Sequence, residues 1–244
     1  MKAIVLAGGK GTRLMSEENK KPKVLREALG RPLISYVLEN IGFIPKEDIW
    51  VVVGYMAEAV EEYVGAPYNF ALQAEQKGTG HAVMMCEDGL KDYDGDVLIV
   101  YGDMPLFKAE TYKDIIKKHQ ESGAAITVLT ADVENPPAYG RIIRDENGKI
   151  CDSVEDKDCT PEQKKITELN VGVYVVDSKK LFATLKKIGN NNAQGEYYLT
   201  DISKVLISEG EKVESHTIFD LTEIVGVNTV EDLAFCEDVL KNKR

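Results

Sequence analysis

The sequence predicts an α/β fold: a mostly parallel sheet flanked by helices, with a small antiparallel lobe after it. Three observations predict this. Short apolar runs alternate with helix-like segments through about the first 135 residues. A glycine-rich loop follows directly on the first of those runs. Beyond it, the rhythm changes to strand-like runs joined by tight-turn residues. Alternation of the first kind builds parallel sheets with helices on both faces, whereas hairpins build antiparallel ones.

Ala3 to Ala7 is the first strand; its apolar run is too short for a secretory signal and is interrupted at once by glycine and charge. Pro32 opens a helix with Leu33, Val37 and Leu38 on one face, continued by Ile41. Ile49 to Val53 is a second buried strand, in which Trp50 is read as packing. Phe70 to Gln73 is a shorter strand, and Asp96 to Tyr101 a strongly apolar one. Ala124 to Leu129 follows a lysine-rich helix. In such a sheet, ligands belong at the C-terminal ends of the strands. Gly140 to Arg144 and Lys149 to Val154 flank Asp145-Glu146-Asn147-Gly148, a hairpin signal. Leu169 to Val176 is the next strand. Tyr197 to Ser208 reads as an amphipathic helix, with Ile202, Val205 and Leu206 on one side. Thr229-Val230-Glu231-Asp232 has the form of a capping box and starts the last helix. There is no internal repeat or linker, so one domain is expected, with parts over about 1–135, 136–228 and 229–244.

Of the 244 residues, 43% are hydrophobic, enough for a sizeable core. The net charge of −11 argues against nucleic-acid binding, which needs a basic footprint. No apolar stretch approaches the roughly 20 residues that span a bilayer, so no membrane partner is expected. Cys86, Cys151, Cys159 and Cys236 have neither zinc-finger nor CxxC spacing and are read as reduced thiols of a cytoplasmic protein.

An acidic chain that handles phosphates must concentrate its cations locally. The segment Leu6-Ala7-Gly8-Gly9-Lys10-Gly11-Thr12-Arg13-Leu14 does so. Its glycines let backbone N–H groups approach phosphate oxygens. It has neither Walker A spacing nor the third glycine of a dinucleotide fingerprint. Lys20, Lys21, Lys23 and Arg26 follow, diluted by Glu17, Glu18 and Glu27. Lys23 stands out, because Pro22 stiffens the backbone before it and Val24 and Leu25 can anchor it.

Gly9-x-Gly11-Thr12-Arg13 followed by Pro22-Lys23 resembles the signature of the sugar nucleotidyltransferases. Leu72 to Ala82 is similar to the nucleobase-binding stretch of the bacterial bifunctional N-acetylglucosamine-1-phosphate uridylyltransferase/glucosamine-1-phosphate acetyltransferases, and Tyr101 to Leu106 to their metal-binding segment. Tyr139 to Ile142, Val154 to Asp158 and Asn170 to Gly172 resemble their sugar-binding elements. Asn191 to Asp201 is a long match, and Gly226-Val227-Asn228 closes the series. The resemblance covers nearly the whole chain in the family's order. Departures are the longer stretch at 15–21, Gly8 where that branch often has Ala, and Asp156 where it often has His. No hexapeptide repeats are present, so acetyltransferase activity and the trimer it builds are not expected of this sequence.

The resemblance implies a Rossmann-like sheet of the nucleotide-diphospho-sugar transferase type, its antiparallel lobe binding sugar. It implies transfer of a uridylyl group from UTP to N-acetylglucosamine 1-phosphate with Mg²⁺. Arg13 and Lys23 would be the catalytic cations. Leu6, Ala7, Gly8, Gly9, Lys10, Gly11, Thr12, Gln73, Gln76, Gly78 and Thr79 would bind the nucleotide, the backbone of Gly9, Lys10, Gly11 and Thr12 cradling its β and γ phosphates and Gln73, with Gly78 and Thr79, taking the base. Tyr101, Gly102, Gly140, Glu155, Asn170, Glu196, Tyr198 and Thr200 would surround the sugar. Asp103 and Asn228 would hold the metal. His81 is read as structural. No Ser-His or Cys-His pairing is evident, and none is needed, since a phosphate monoester is already largely ionised at neutral pH. The same chemistry on another sugar 1-phosphate (N-acetylgalactosamine, glucose) or with dTTP stays open, as does a catalytically silent sugar-nucleotide-binding module.

Overall fold

The computed structural model describes residues 1–11 and 21–242. Among them a nine-stranded sheet forms the frame. The first strand, β1 (Lys2–Leu6), lies between two parallel neighbours, β4 (Ile49–Val53) and β6 (Asp96–Tyr101). β5 (Asn69–Leu72) extends the sheet in parallel beyond β4. On the other side of β6 runs β10 (Glu168–Asp177), antiparallel, followed by β7 (Ile126–Asp132) and β11 (Val213–Ile218), which are parallel to each other. The order is β11-β7-β10-β6-β1-β4-β5. β8 (Gly140–Arg144) pairs with the start of β10 and with β9 (Ile150–Val154). A separate two-stranded ribbon joins β2 (Glu27–Ala28) to β3 (Arg31–Pro32).

Burial on both faces explains why the central strands are almost wholly apolar. Ala3 and Val5 point into one core layer with Val51, Val53, Leu98 and Val100. Helices α1 (Leu33–Asn40), α2 (Ala57–Val64) and α5 (Ala109–Ser122) cover that layer with Ile34, Val37, Val60, Tyr112 and Ile115. Ile4 and Leu6 point the opposite way, into a layer with Val52, Val97 and Ile99. There α3 (Thr79–Met84), the short α4 (Glu87–Leu90), α6 (Ser178–Leu185) and α7 (Asp201–Ser208) supply Val83, Leu90, Leu181, Ile202 and Leu206. The last helix, α8 (Val230–Asn242), packs Cys236 against Leu33 and Tyr36 through a third, smaller cluster. Trp50 packs as expected: it is partly buried against the second layer.

Several expectations are corrected. The strand expected at Leu169 to Val176 does not belong to a separate lobe. It runs through the middle of the main sheet as β10, and the β8–β9 hairpin grows from its first residues. β11 was not anticipated. Its sequence Val-Glu-Ser-His-Thr-Ile is polar because it is an edge strand, with only Ile218 fully buried. The helix expected from Tyr197 begins at Asp201. Residues 197–200 cannot wind, because the Tyr197 N–H donates to the Lys77 carbonyl and the Tyr197 carbonyl accepts from Gly80 N–H, each at 2.8 Å. The capping box is present: Asp232 N–H donates to Thr229 Oγ1 at 3.1 Å and Thr229 N–H to Asp232 Oδ2 at 2.8 Å. No helix among the described residues is long and apolar enough to cross a membrane.

Candidate active site

The site lies where the parallel strands end. β1 delivers Leu6 and Ala7, β5 delivers Gln73, and β6 delivers Tyr101 and Asp103. A cavity of about 330 Å³ opens there. Of the residues expected at a nucleotide, Leu6, Ala7, Gly8, Gly9, Gly11, Gln73, Gln76, Gly78 and Thr79 line it. Lys10 is exposed and does not. Thr12 and Arg13 lie outside the described residues.

Lys23 sits on a single 3-10 turn, Lys23–Leu25, entered from Pro22. It is only 9% exposed, which is costly for an ammonium without partners. Its Nζ donates to Asp103 Oδ2, and to Asn228 Oδ1 at 2.9 Å. Val24 is buried beneath it, and Gly102 is what lets Val24 approach: a Cβ at residue 102 would lie 3.1 Å from Val24 Cγ1. Gly102 is not among the residues that line this cavity or the next. Asn228 arrives from far along the chain because the Val227 N–H donates to the Asp103 carbonyl at 2.9 Å. Asn228 Nδ2 donates to the Gly226 carbonyl at 3.0 Å, which turns Oδ1 toward Lys23.

A second cavity of about 260 Å³ adjoins the first and shares Tyr101, Asp103 and Asn228 with it. Gly140, Glu155, Asn170 and Thr200, four of the residues expected at a sugar, line it. Thr200 Oγ1 donates to Glu155 Oε1 at 3.0 Å. Burial pushes the Glu155 carboxyl above its ordinary range, and that Thr200 hydrogen bond only partly opposes it. Asn170 Nδ2 donates to Ser153 Oγ at 3.0 Å, while its Oδ1 accepts from Gly172 N–H at 2.9 Å and Tyr174 Oη at 3.1 Å. Tyr139 Oη donates to the Ile224 carbonyl at 2.6 Å, and burial pushes its phenol up to about 12.

Two further residues fall elsewhere. Glu196 lines the first cavity rather than the second. Tyr198 lines a neighbouring hollow that shares Glu155. Both belong to the irregular stretch before α7, where sequence spacing does not tell which way a side chain points. Sequence reasoning also passed over Tyr174. It lies four residues after Asn170, on the same face of β10, and an alternation count along that strand would have found it.

Glycine backbone, one held lysine and a carboxylate–amide pair thus meet at the junction of two chambers. The family model for nucleotidyl transferase matches residues 2–220, and the chain belongs to that family. Among curated relatives, the bifunctional protein GlmU of Halalkalibacterium halodurans is 42% identical over 241 residues, covering 99% of this chain and 52% of that protein. The bifunctional protein GlmU of Lactobacillus johnsonii is 43% identical over 240 residues, covering 98% and 51%. The chain thus spans about half the length of the curated relatives it matches. Two solved structures share the fold. One, from Bacillus anthracis, is described as a glucose-1-phosphate thymidylyltransferase in complex with sucrose; it aligns with a TM-score of 0.81 at 21% identity, over 99% of this chain and 96% of that one. A UDP-glucose pyrophosphorylase complexed with UDP-glucose aligns with a TM-score of 0.77 at 19% identity, over 100% and 99%.

Proposed function

We propose that this chain transfers a uridylyl group from UTP to N-acetylglucosamine 1-phosphate, giving UDP-N-acetylglucosamine and pyrophosphate. The observation that carries the reading is the meeting of Lys23, Asp103 and Asn228 at the boundary shared by the two cavities. One chamber holds the glycine loop and Gln73, and the other holds Glu155, Asn170 and Thr200. The reacting phosphates of two substrates bound in these chambers would meet at the boundary. In this reading the part over 1–135 takes the nucleotide and the part over 136–228 the sugar. The relatives' similarity over nearly the whole chain supports the uridylyl branch.

A sugar 1-phosphate oxygen attacks the α-phosphorus, a new P–O bond forms, and the bond to the β-phosphate oxygen breaks with its electrons on pyrophosphate. The nucleophile is already ionised at neutral pH, so no general base is required. Catalysis then consists of positioning and charge stabilisation. Lys23 would hold the phosphates in line, and Arg13, outside the described residues, would be the second catalytic cation. Asp103 and Asn228 fit a hard divalent cation: they offer only oxygen donors, and both converge on one positive centre, the Lys23 ammonium. Mg²⁺ held there would neutralise phosphate charge during the transfer. Cys86, Cys159 and Cys236 are buried, and thiols kept reduced in this way suit a cytoplasmic place.

The test is pyrophosphate release with Mg²⁺, crossing UTP, dTTP, ATP, GTP and CTP against N-acetylglucosamine, N-acetylgalactosamine, glucose and glucosamine 1-phosphates. Fast release with UTP and N-acetylglucosamine 1-phosphate alone is expected. Release with a different pair would keep the mechanism and replace the substrate. Binding of UTP without release by any pair would make the chain a silent sugar-nucleotide binder.

A further inference from the structure

Gln73 is 4% exposed, just past the end of β5, and its amide has a definite sense. Nε2 donates to the Gly78 carbonyl at 2.9 Å and lies 3.1 Å from His81 Nδ1. The Gly78 carbonyl also accepts from Ala82 N–H at 3.1 Å. A carbonyl can only accept, and so can a bare ring nitrogen, so with both the Gly78 carbonyl and His81 Nδ1 on that side the nitrogen end of the amide faces them. The oxygen end therefore faces the other way: Oε1 would lie 3.3 Å from a Cβ at Gly8, and Gly8 and Gln73 both line the nucleotide cavity. An amide nitrogen has two hydrogens. The second is used only if His81 Nδ1 is bare, that is, if the ring is neutral and carries its proton on Nε2.

We propose that His81 is a positioning residue for base recognition: it locks the Gln73 amide so that only its oxygen faces the base. The pocket then favours a pyrimidine that donates at N3, as uracil and thymine do, over cytosine, which accepts there. This rests on the uridylyl reading and deepens it. An imidazolium at residue 81 would point an N–H at the amide nitrogen, donor against donor. The amide would lose that partner, and turning over would bring its nitrogen to the base, the sense that suits cytosine. The charged groups around the ring are Lys77 and Glu75, which pair with each other at 2.6 Å, and the Tyr197 ring lies 6.4 Å away across the loop before α7. Burial, and then Lys77, push the His81 pKa below its ordinary value, with Glu75 opposing. The neutral ring is thus the resting form at neutral pH.

Calorimetric binding of UTP and of CTP, each with Mg²⁺, would be measured for the wild type, His81→Phe and His81→Asn at about pH 7.5 and about pH 5.5, on either side of the ordinary histidine pKa. Protonation of the triphosphate affects both nucleotides alike and cancels in their ratio. The wild type should prefer UTP at the higher pH and lose that preference as the pH falls through the lowered His81 pKa, by roughly tenfold once the ring is protonated, the size of one hydrogen bond to a buried group. His81→Phe should show the reduced preference at both. His81→Asn, whose Oδ1 replaces Nδ1 as acceptor, should restore the preference and make it independent of pH. A ring that only supports the loop would weaken both nucleotides equally and leave their ratio unchanged. Wild-type selectivity for UTP with an unaltered ratio in His81→Phe would overturn the role of His81 alone. A wild type that binds neither nucleotide would overturn the uridylyl reading and this inference with it.

Discussion

At Gly78 the backbone holds φ +107°, and a Cβ there would meet the Tyr197 carbonyl oxygen at 2.5 Å. Both facts exclude a side chain, since the clash is with backbone and the conformation favours glycine. Gly78→Ala should therefore push the base-side loop away from residues 196–198. It should raise the KM for the nucleotide at least tenfold, with a smaller fall in kcat, and steady-state kinetics would show the split. A second expectation concerns Asp103. Asp103→Ala leaves Lys23 with Asn228 Oδ1 as its described hydrogen-bond partner and removes the carboxylate shared by the two cavities. Turnover should fall by orders of magnitude, and a titration with Mg²⁺ should no longer raise it. Lys23 and Asp103 were legible in the sequence because chemistry made them conspicuous: a cation anchored after proline, and an acid just past an apolar strand. Their partnership was not, because 80 residues separate them in the chain. Asn228 was legible through the resemblance alone, since an asparagine before a helix has an ordinary capping role. His81 was set aside as structural, and only the direction of the Gln73 amide gives it a task.

Elements with a strong local signature formed where expected. The Asp145 to Gly148 turn closes with a Gly148 N–H to Asp145 carbonyl bond at 3.0 Å. The start of α8 is held by the reciprocal Thr229–Asp232 bonds, and Asp232 Oδ2 also accepts from Asn228 N–H at 2.9 Å. Asp232→Ala should cost about 1 kcal/mol of stability, typical of a lost cap. It should also loosen Asn228, so a thermal melt would show a lower Tm while kinetics show reduced activity. Where local signals are weak, tertiary contacts decided. The Tyr197 to Thr200 stretch has helical periodicity but is unwound by its bonds to the base-side loop. β11 is stabilised by pairing with β7 over six residues rather than by apolar alternation.

For the whole molecule, acid sensitivity follows from its histidines. The chain has three, His81, His119 and His216, and burial is the largest influence pushing each below its ordinary pKa. His119 is the most enclosed, with Nδ1 3.0 Å from Thr127 Oγ1 and Nε2 3.4 Å from Asp96, whose charge opposes the shift. A lowered histidine pKa means that the unfolded chain binds more protons. The associated stability is fully present above the unfolded value of about 6.5 and is lost as pH falls below it toward the folded value. Glu155, raised by burial, contributes in the opposite sense and at lower pH. The Tm should therefore fall between about pH 7.5 and about pH 5.5, and His119→Gln should flatten that slope; differential scanning calorimetry would read both. The parallel half of the sheet was legible from its alternation, but the placement of β10 was not, because sequence order does not reveal which strands become neighbours. That placement bears on how the chain is made. β10 lies between β6 and β7, both of which are synthesised before it. Until residues 168–177 leave the ribosome, these two strands present open hydrogen-bonding edges built from Val97 to Val100 and Ile126 to Ala131. Such edges invite pairing with each other or with another chain. The two halves of the sheet that carries the site are thus joined by a late insertion, with β11 added later still, and shielding of the open edges during that interval would limit mispairing.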